Sequence, residues 1–349
     1  MMIFSSLKLN KIQWLTAALL GLLFVSSCSK DDDDDYTGNW AVSYEFEGVG
    51  RTEAVSFTID DVVYIGLGYD GDDRLTDFWA FYSSTGTWKR VATFPGAARS
   101  GAAAFVVDGK GYVGSGYDGT SYLSDFWSYD PDSDSWTEVA DLSTYGGVAR
   151  DGAVAFTLGS KGYICTGGND DEWLKDLWEY DPTANTWTQK ASLAGSKRKD
   201  AVAFVYNNKA YVVTGTNNSS LLTDFYYYDQ SSDSWTRLRN INSSNDDESY
   251  DDDYGDNIKR SNASIILLSN KAYLCCGYKS GTTNTVWQYN IDDDTWEQKT
   301  SFEGSARQGA IGFSAGGVAY ITTGTSGSTY FDDLWSFDPS ADQDSDDNY

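Results

Sequence analysis

One spacing recurs six times along this chain: an arginine, a tyrosine 13 residues later, and a glycine four residues after that. The arginines are Arg51, Arg99, Arg150, Arg198, Arg260 and Arg307. The tyrosines are Tyr64, Tyr112, Tyr163, Tyr211, Tyr273 and Tyr320; the glycines are Gly68, Gly116, Gly167, Gly215, Gly277 and Gly324. Ten or eleven residues on stands an aromatic: Trp79, Trp127, Trp178, Tyr226, Trp287 or Trp335. Nine further, in five of the units, comes Trp88, Trp136, Trp187, Trp235 or Trp296. A fixed long period of this kind marks one structural unit stacked on copies of itself.

Each unit contains four short strand-like runs, such as "GAAAFVV", "GYVGSG", "DFWSYD" and "WTEVA", separated by turn residues such as "DGK" and "DPDSDS". Four antiparallel strands make a propeller blade, and six blades close into a ring. The last unit lacks its final Trp, yet Trp40 precedes Arg51 by 11 residues, as Trp88, Trp187 and Trp296 precede their next arginines. The segment "NWAVSYEF" is therefore expected to supply the missing outer strand of blade six, which closes the ring and removes a free sheet edge. The predicted fold is all-β: a monomeric six-bladed propeller over residues 39–340, with an acidic disordered tail over 341–349.

The pattern "GYVGSG … DFWSYDPDSDSW" resembles the kelch repeat, and the resemblance covers residues 40–340. The chain departs from that pattern at its Gly-Gly pair. The first glycine is replaced by Leu67, Ser115, Thr166, Thr214, Cys276 or Thr323. The resemblance implies a propeller of the kelch type. Some kelch propellers are enzymes, among them the copper-radical sugar oxidases and the sialic acid epimerases (mutarotases).

Histidine is absent from all 349 residues. That excludes Ser-His-Asp and Cys-His catalysis and any His-ligated metal centre, so the copper-radical activity does not carry over. The formal charge of −27 speaks against nucleic acid, which calls for clustered Lys and Arg.

Lys8 and Lys11 precede an apolar run, Trp14 to Val25, that is short for a membrane span. The order Val25-Ser26-Ser27-Cys28 then resembles a bacterial lipoprotein signal, in which the cysteine is freed and lipidated. The acidic run Asp31–Asp35 resembles an export tag for the outer face of the outer membrane. The expected organisation is a signal peptide over 1–27, an acidic tether over 28–38, and membrane contact only through lipid on Cys28. Cys165, Cys275 and Cys276 read as buried thiols; Cys275 and Cys276, adjacent on a strand, point to opposite faces.

Length variation is confined to two connections. One joins the last strand of a unit to the next arginine, gaining 3 residues at "TYGG" and 14 in the stretch 240–258; the other follows the repeat glycine. In an up-and-down blade both fall on one face, and variable loops on a rigid scaffold are where function concentrates. The arginines begin the innermost strand on that face, and two readings of them stand. Either each pairs with a repeat aspartate (Asp77, Asp125, Asp176, Asp224, Asp333) or with backbone carbonyls. Or some of Arg51, Arg99, Arg150, Arg198, Arg260 and Arg307 line the channel mouth and fork onto an anionic ligand. Tyr122, Trp173 and Tyr330, six residues after their repeat glycines, are candidate stacking platforms for sugar rings.

No cofactor is expected. The acidic insertion offers a weak calcium site over residues 245–256 as an alternative to a solvated loop. The leading functional expectation is a non-enzymatic surface lipoprotein that captures a glycan, an acidic ligand or a protein. The alternatives are a sialic acid epimerase-like enzyme and a structural subunit of an envelope assembly.

Overall fold

The computed structural model describes residues 36–242, 257–344 and 346. The expected signal peptide, Cys28, the acidic run Asp31–Asp35 and residues 243–256 of the acidic insertion lie outside the described residues. Six four-stranded antiparallel sheets follow one another in chain order. Blade one, from the axis outwards, is Val55–Ile59, Val62–Gly66, Phe78–Tyr82 and Thr87–Val91. Blades two to five repeat that order. Blade six is Ile311–Ala315, Val318–Thr322 and Leu334–Asp338, completed by Asn39–Val42 from the N-terminal side. Trp40 faces Phe337 in that pairing, as Trp88 faces Phe81 in blade one, so the borrowed strand sits in the repeat's own register. Residues expected in the tail also take part: Ala341 accepts from the Gly38 amide, and the Asp344 amide donates to Asn39 Oδ1.

The aromatic repeat explains why the blades adhere. In five of the six blades the first-strand Phe stacks on the second-strand Tyr across the pairing, at 5.1 Å for Phe57–Tyr64 and 4.7 Å for Phe204–Tyr211; blade five has Ile266 there. That tyrosine then meets the third-strand aromatic of the next blade: Tyr64–Tyr129 at 5.3 Å, Tyr112–Tyr180 at 5.3 Å, and finally Tyr320–Phe81 at 5.6 Å, which joins blade six to blade one. Such rings bury large apolar areas and gain a little more from their tilted and stacked geometry. The fourth-strand Trp adds a polar tie. Trp136, Trp187 and Trp235 donate Nε1–H to the carbonyls of Ala92, Ala140 and Ala191 in the preceding blade, at 2.8–2.9 Å. One isolated blade would leave these aromatic faces wet.

Two rings of backbone hydrogen bonds circle the axis. Each repeat glycine donates its N–H to the carbonyl of the next blade's arginine, from Gly68 to Arg99 round to Gly324 and Arg51, at 2.7–2.9 Å. Two residues after each arginine, Glu53, Gly101, Gly152, Asp200, Asn262 and Gly309 form a second ring. Each of their amides donates to the carbonyl of the previous member, at 2.8–3.1 Å, and Glu53 closes on Gly309. All six have φ between 50° and 63°, the left-handed region. Gly, Asn and Asp enter it readily, which accounts for five of the six residue types. The next residue is alanine in every unit (Ala54, Ala102, Ala153, Ala201, Ala263, Ala310).

Candidate functional site

The arginines lie inside the blades, not at the mouth. All six are fully buried. Arg51, Arg99, Arg150 and Arg307 each fork onto an aspartate 26 residues on (Asp77, Asp125, Asp176, Asp333), with both N···O distances between 2.5 and 2.8 Å. The same aspartate accepts Nε1–H from the Trp two residues later, at 2.6–2.9 Å. Arg198 pairs with Asp224 at 2.6 Å. Blade five has Thr285 where the aspartate would be, and Arg260 donates to the carbonyls of Ile258, Cys276, Thr285 and Asn257 and to Thr285 Oγ1. Burial without a carboxylate pulls the Arg260 guanidinium down to about 10.

The expectation of an open arginine ring for an anion is therefore corrected. A guanidinium taken out of water needs its charge matched locally, and the repeat supplies the match from within. The arginines have a structural task. Each donates to the carbonyl 16 residues on, at Leu67, Ser115, Thr166, Thr214, Cys276 or Thr323. These are the residues that replace the first kelch glycine, and they hold φ of 56–66°. A side chain there is strained by about 1–3 kcal/mol, so the conformation persists because the surroundings enforce it. Cys165, Cys275 and Cys276 are buried, and burial pushes their thiols up, so they are inert near neutrality.

The side chains that do reach the face come from two other places. One is the loop after the repeat glycine. Tyr69 and Tyr117, next to Gly68 and Gly116, sandwich Arg74, whose guanidinium lies 5.2 and 4.7 Å from their ring centres. Tyr330 meets Tyr69 edge-on at 5.9 Å, and Tyr122 lies 4.9 Å from Tyr117. Tyr122 donates its hydroxyl to Asp170 at 2.8 Å. Burial and that carboxylate push the Tyr122 phenol up to about 12. A continuous arc thus crosses blades six, one, two and three. Two glycines make it possible: a Cβ on Gly71 would come within 2.6 Å of the Tyr330 ring, and one on Gly119 within 2.7 Å of Arg74. Of the candidate platforms, Tyr122 and Tyr330 join the arc. Trp173, half-buried, pairs its backbone with Gly168 in blade three.

The other source is the start of the innermost strand. Lys199, one residue after Arg198, reaches across to Asp151 in blade three, 3.0 and 3.2 Å from its two oxygens. Asp200 and Glu53 stand on the axial ring in blades four and one, opposite each other. A cavity of about 180 Å³ lies on the axis, lined by Glu53, Asp151, Asp200, Asn262 and five of the six alanines. Burial in this wall pushes the Asp200 carboxyl up to about 7, opposed by Lys199 and reinforced by Asp151 and Glu53. The folded chain therefore holds a proton at Asp200 that the unfolded chain releases between about pH 4 and 7, and stability falls as pH rises through that window. Asp200→Asn should raise stability by about 2–4 kcal/mol at pH 8, with the gain fading towards pH 4. Denaturant titrations of both proteins at the two pH values measure this.

Among the described residues, no three acidic or cysteine side chains converge as a metal-ligand set. The calcium expectation over 245–256 lies outside the described residues.

Six four-stranded blades in a closed ring define a β-propeller. A family model for N-acetylneuraminate epimerase matches residues 48–184, and one for the KLHDC2/KLHL20/DRC7 kelch-repeats domain matches residues 141–250. The chain is a six-bladed propeller of kelch-type repeats. The solved structure described as "Structure of YjhT" superimposes with a TM-score of 0.68 at 16% identity, covering 84% of this chain and 96% of that one, a likeness of fold. No curated protein matches the chain in sequence.

Proposed function

We propose that this propeller is a carbohydrate-binding protein whose ligand lies on the loop-bearing face, across the arc from Tyr330 to Tyr122. The arc is the observation that carries the reading. It offers several ring faces for the apolar C–H side of a pyranose, and flanking carboxylates to accept its hydroxyls. An acidic ligand fits less well. The six repeat arginines are consumed internally, Arg74 is sandwiched, Lys199 is paired, and Asp70, Asp72, Asp73, Asp118 and Asp170 crowd the same loops. In this reading the protein is anchored by lipid on Cys28 at the outer face of the outer membrane, which fatty-acid labelling lost in Cys28→Ala would support.

Tyr117→Ala and Tyr69→Ala should each weaken glycan binding by about tenfold or more, with folding kept, because each removes a stacking surface and frees Arg74. Array screening followed by titration of the best ligand measures this. Unchanged affinity in both variants would move the site elsewhere.

A second reading, a sugar epimerase, has one specific support: the epimerase family model aligns with blades one to three. Anomer exchange followed by NMR with N-acetylneuraminate tests it, and a rate equal to buffer removes it.

A further inference from the structure

We propose that the axial cavity is a site for a primary ammonium group, so that the ligand of this face is an amino sugar; the second clause rests on the carbohydrate reading. The inference begins with carboxyl groups that lack a partner. Three carboxylates line the cavity, Asp151, Asp200 and Glu53. The cation beside them, Lys199, is committed to both oxygens of Asp151. Asp200 and Glu53 are left facing each other across the ring with no ion pair between them and a base among the described residues.

Asp200 is the more telling of the two. Its carboxylate accepts no hydrogen bond among the described residues, although most of the residue is packed in protein, and it lines the cavity. Its position is built in. A Cβ on Gly152 would come within 2.4 Å of Asp200 Oδ1, so a glycine at that ring position lets the carboxyl lie over the channel. An enclosed acceptor without a donor is costly, and nothing in the backbone ring relieves it, because every amide of the ring already donates to its neighbour.

The chemistry that would satisfy this arrangement is narrow. An anion is repelled by Asp200 and Glu53. Among the described residues no three acidic or cysteine groups are set for a metal. A primary ammonium brings one positive charge and three N–H donors to the two carboxylates and to Asn262 beside them. A volume of about 180 Å³ suits an ammonium on a small carbon frame, since each water occupies about 30 Å³ of liquid. Binding should also be linked to protons. The empty site keeps Asp200 largely protonated below neutrality, and an incoming ammonium must displace that proton. The charged groups that face Asp200 are Lys199, Asp151 and Glu53.

The test titrates the full chain by calorimetry with three probes: glucosamine, N-acetylglucosamine, and n-butylammonium, which carries the charge without the sugar. Glucosamine should bind about tenfold or more tightly than N-acetylglucosamine, the worth of one charge-assisted contact. Asp200→Asn should erase that difference and weaken n-butylammonium by a similar factor. Glu53→Gln should act in the same direction. The affinity for n-butylammonium should rise several-fold from pH 6 to pH 8, mirroring release of the Asp200 proton. The stability gain expected of Asp200→Asn above pH 7 shows that this variant is folded. Equal affinity for the two sugars, or indifference to Asp200→Asn, overturns the ammonium site and leaves the carbohydrate reading standing. Binding of n-butylammonium with neither sugar bound keeps the ammonium site and overturns the amino-sugar clause. No binding of any probe overturns the ammonium site.

Discussion

Replacing Trp40 by alanine should cost about 4–5 kcal/mol and loosen blade six before any other part of the ring. Trp40 is fully buried, stacks on Phe337 at 4.4 Å and meets Phe302 edge-on at 4.9 Å. Deleting a buried aromatic of that size costs about 3–5 kcal/mol in transfer and cavity terms. A second loss adds to it here. The strand Asn39–Val42 is the outer strand of a sheet whose other members come from the far end of the sequence. Its hold on Leu334–Asp338 depends on side-chain burial, because a four-residue pairing does not sustain itself in water. Weakening that hold reopens an edge and exposes Trp335 and Phe337. Amide exchange of Leu334–Asp338 should quicken by orders of magnitude in the variant, while Asp151–Leu158 in blade three stays protected. A midpoint shift of less than about 1 kcal/mol, or uniform exchange, would mean that the ring is held shut by its other blade contacts.

The frame of this propeller is legible in the sequence because every blade solves the same packing problem with the same residue types. A Tyr that must meet the next blade, and a Trp such as Trp136, Trp187 or Trp235 whose Nε1–H reaches back to the previous one, cannot move by one residue without pointing to the other face of its sheet. The aspartates that pair with the arginines can be read in the same way, since Asp77, Asp125, Asp176, Asp224 and Asp333 keep one spacing.

What spacing does not reveal is which way a charged side chain turns. The arginine and the residue after it sit side by side at the start of the innermost strand. The guanidinium goes in between strands, and the next side chain, such as Lys199 or Asp151, goes out to the face. The signal lies in a short pattern whose informative position admits several residue types. Each arginine opens the four-residue pattern Arg-x-x-Ala: "RTEA", "RSGA", "RDGA", "RKDA", "RSNA" and "RQGA". Its third position is almost always Gly, Asn or Asp, the residues that tolerate positive φ. Glu53 is the exception, and it faces the cavity. The partners of the aromatic arc are hidden from spacing for a different reason. Tyr69 and Tyr117 directly follow the repeat glycine, where the other blades carry Gly168, Thr216, Tyr278 and Thr325. A position that varies between blades gives a repeat search nothing to align, although variation on a common scaffold is what a binding face requires.

Removing one carboxylate from the arginine layer should be about as damaging as removing Trp40, for an electrostatic reason. Asp125→Ala leaves Arg99 fully buried without its counter-charge, losing two N–H···O bonds of 2.7 and 2.8 Å, and leaves Trp127 Nε1–H without its acceptor at 2.9 Å. Breaking a buried pair from one side costs about 3–5 kcal/mol, because the stranded charge keeps its desolvation penalty. The loss is not confined to the pair. Arg99 also donates to the Ser115 carbonyl and so holds that residue in its left-handed conformation, next to Gly116, which bonds to Arg150 in the following blade. Asp125→Asn should cost less, since the amide oxygen still accepts one bond. Burial alone would raise the Asp125 carboxyl, but the Arg99 fork and Trp127 outweigh it and hold it below the ordinary carboxylate range. Its stabilisation is therefore present above the unfolded value and fades as pH falls through the lower folded one, so the wild type and Asp125→Ala should converge under strong acid. Blade five supplies the reverse experiment. Thr285 stands where the carboxylate would be, and Trp287 follows it at the repeat distance. Thr285→Asp should raise stability by about 1 kcal/mol, by giving Arg260 the charge it lacks. Guanidinium denaturation of the three variants at pH 7 and at pH 3 measures both directions. A small loss in Asp125→Ala together with no gain in Thr285→Asp would show that backbone carbonyls suffice to hold a buried arginine in this ring.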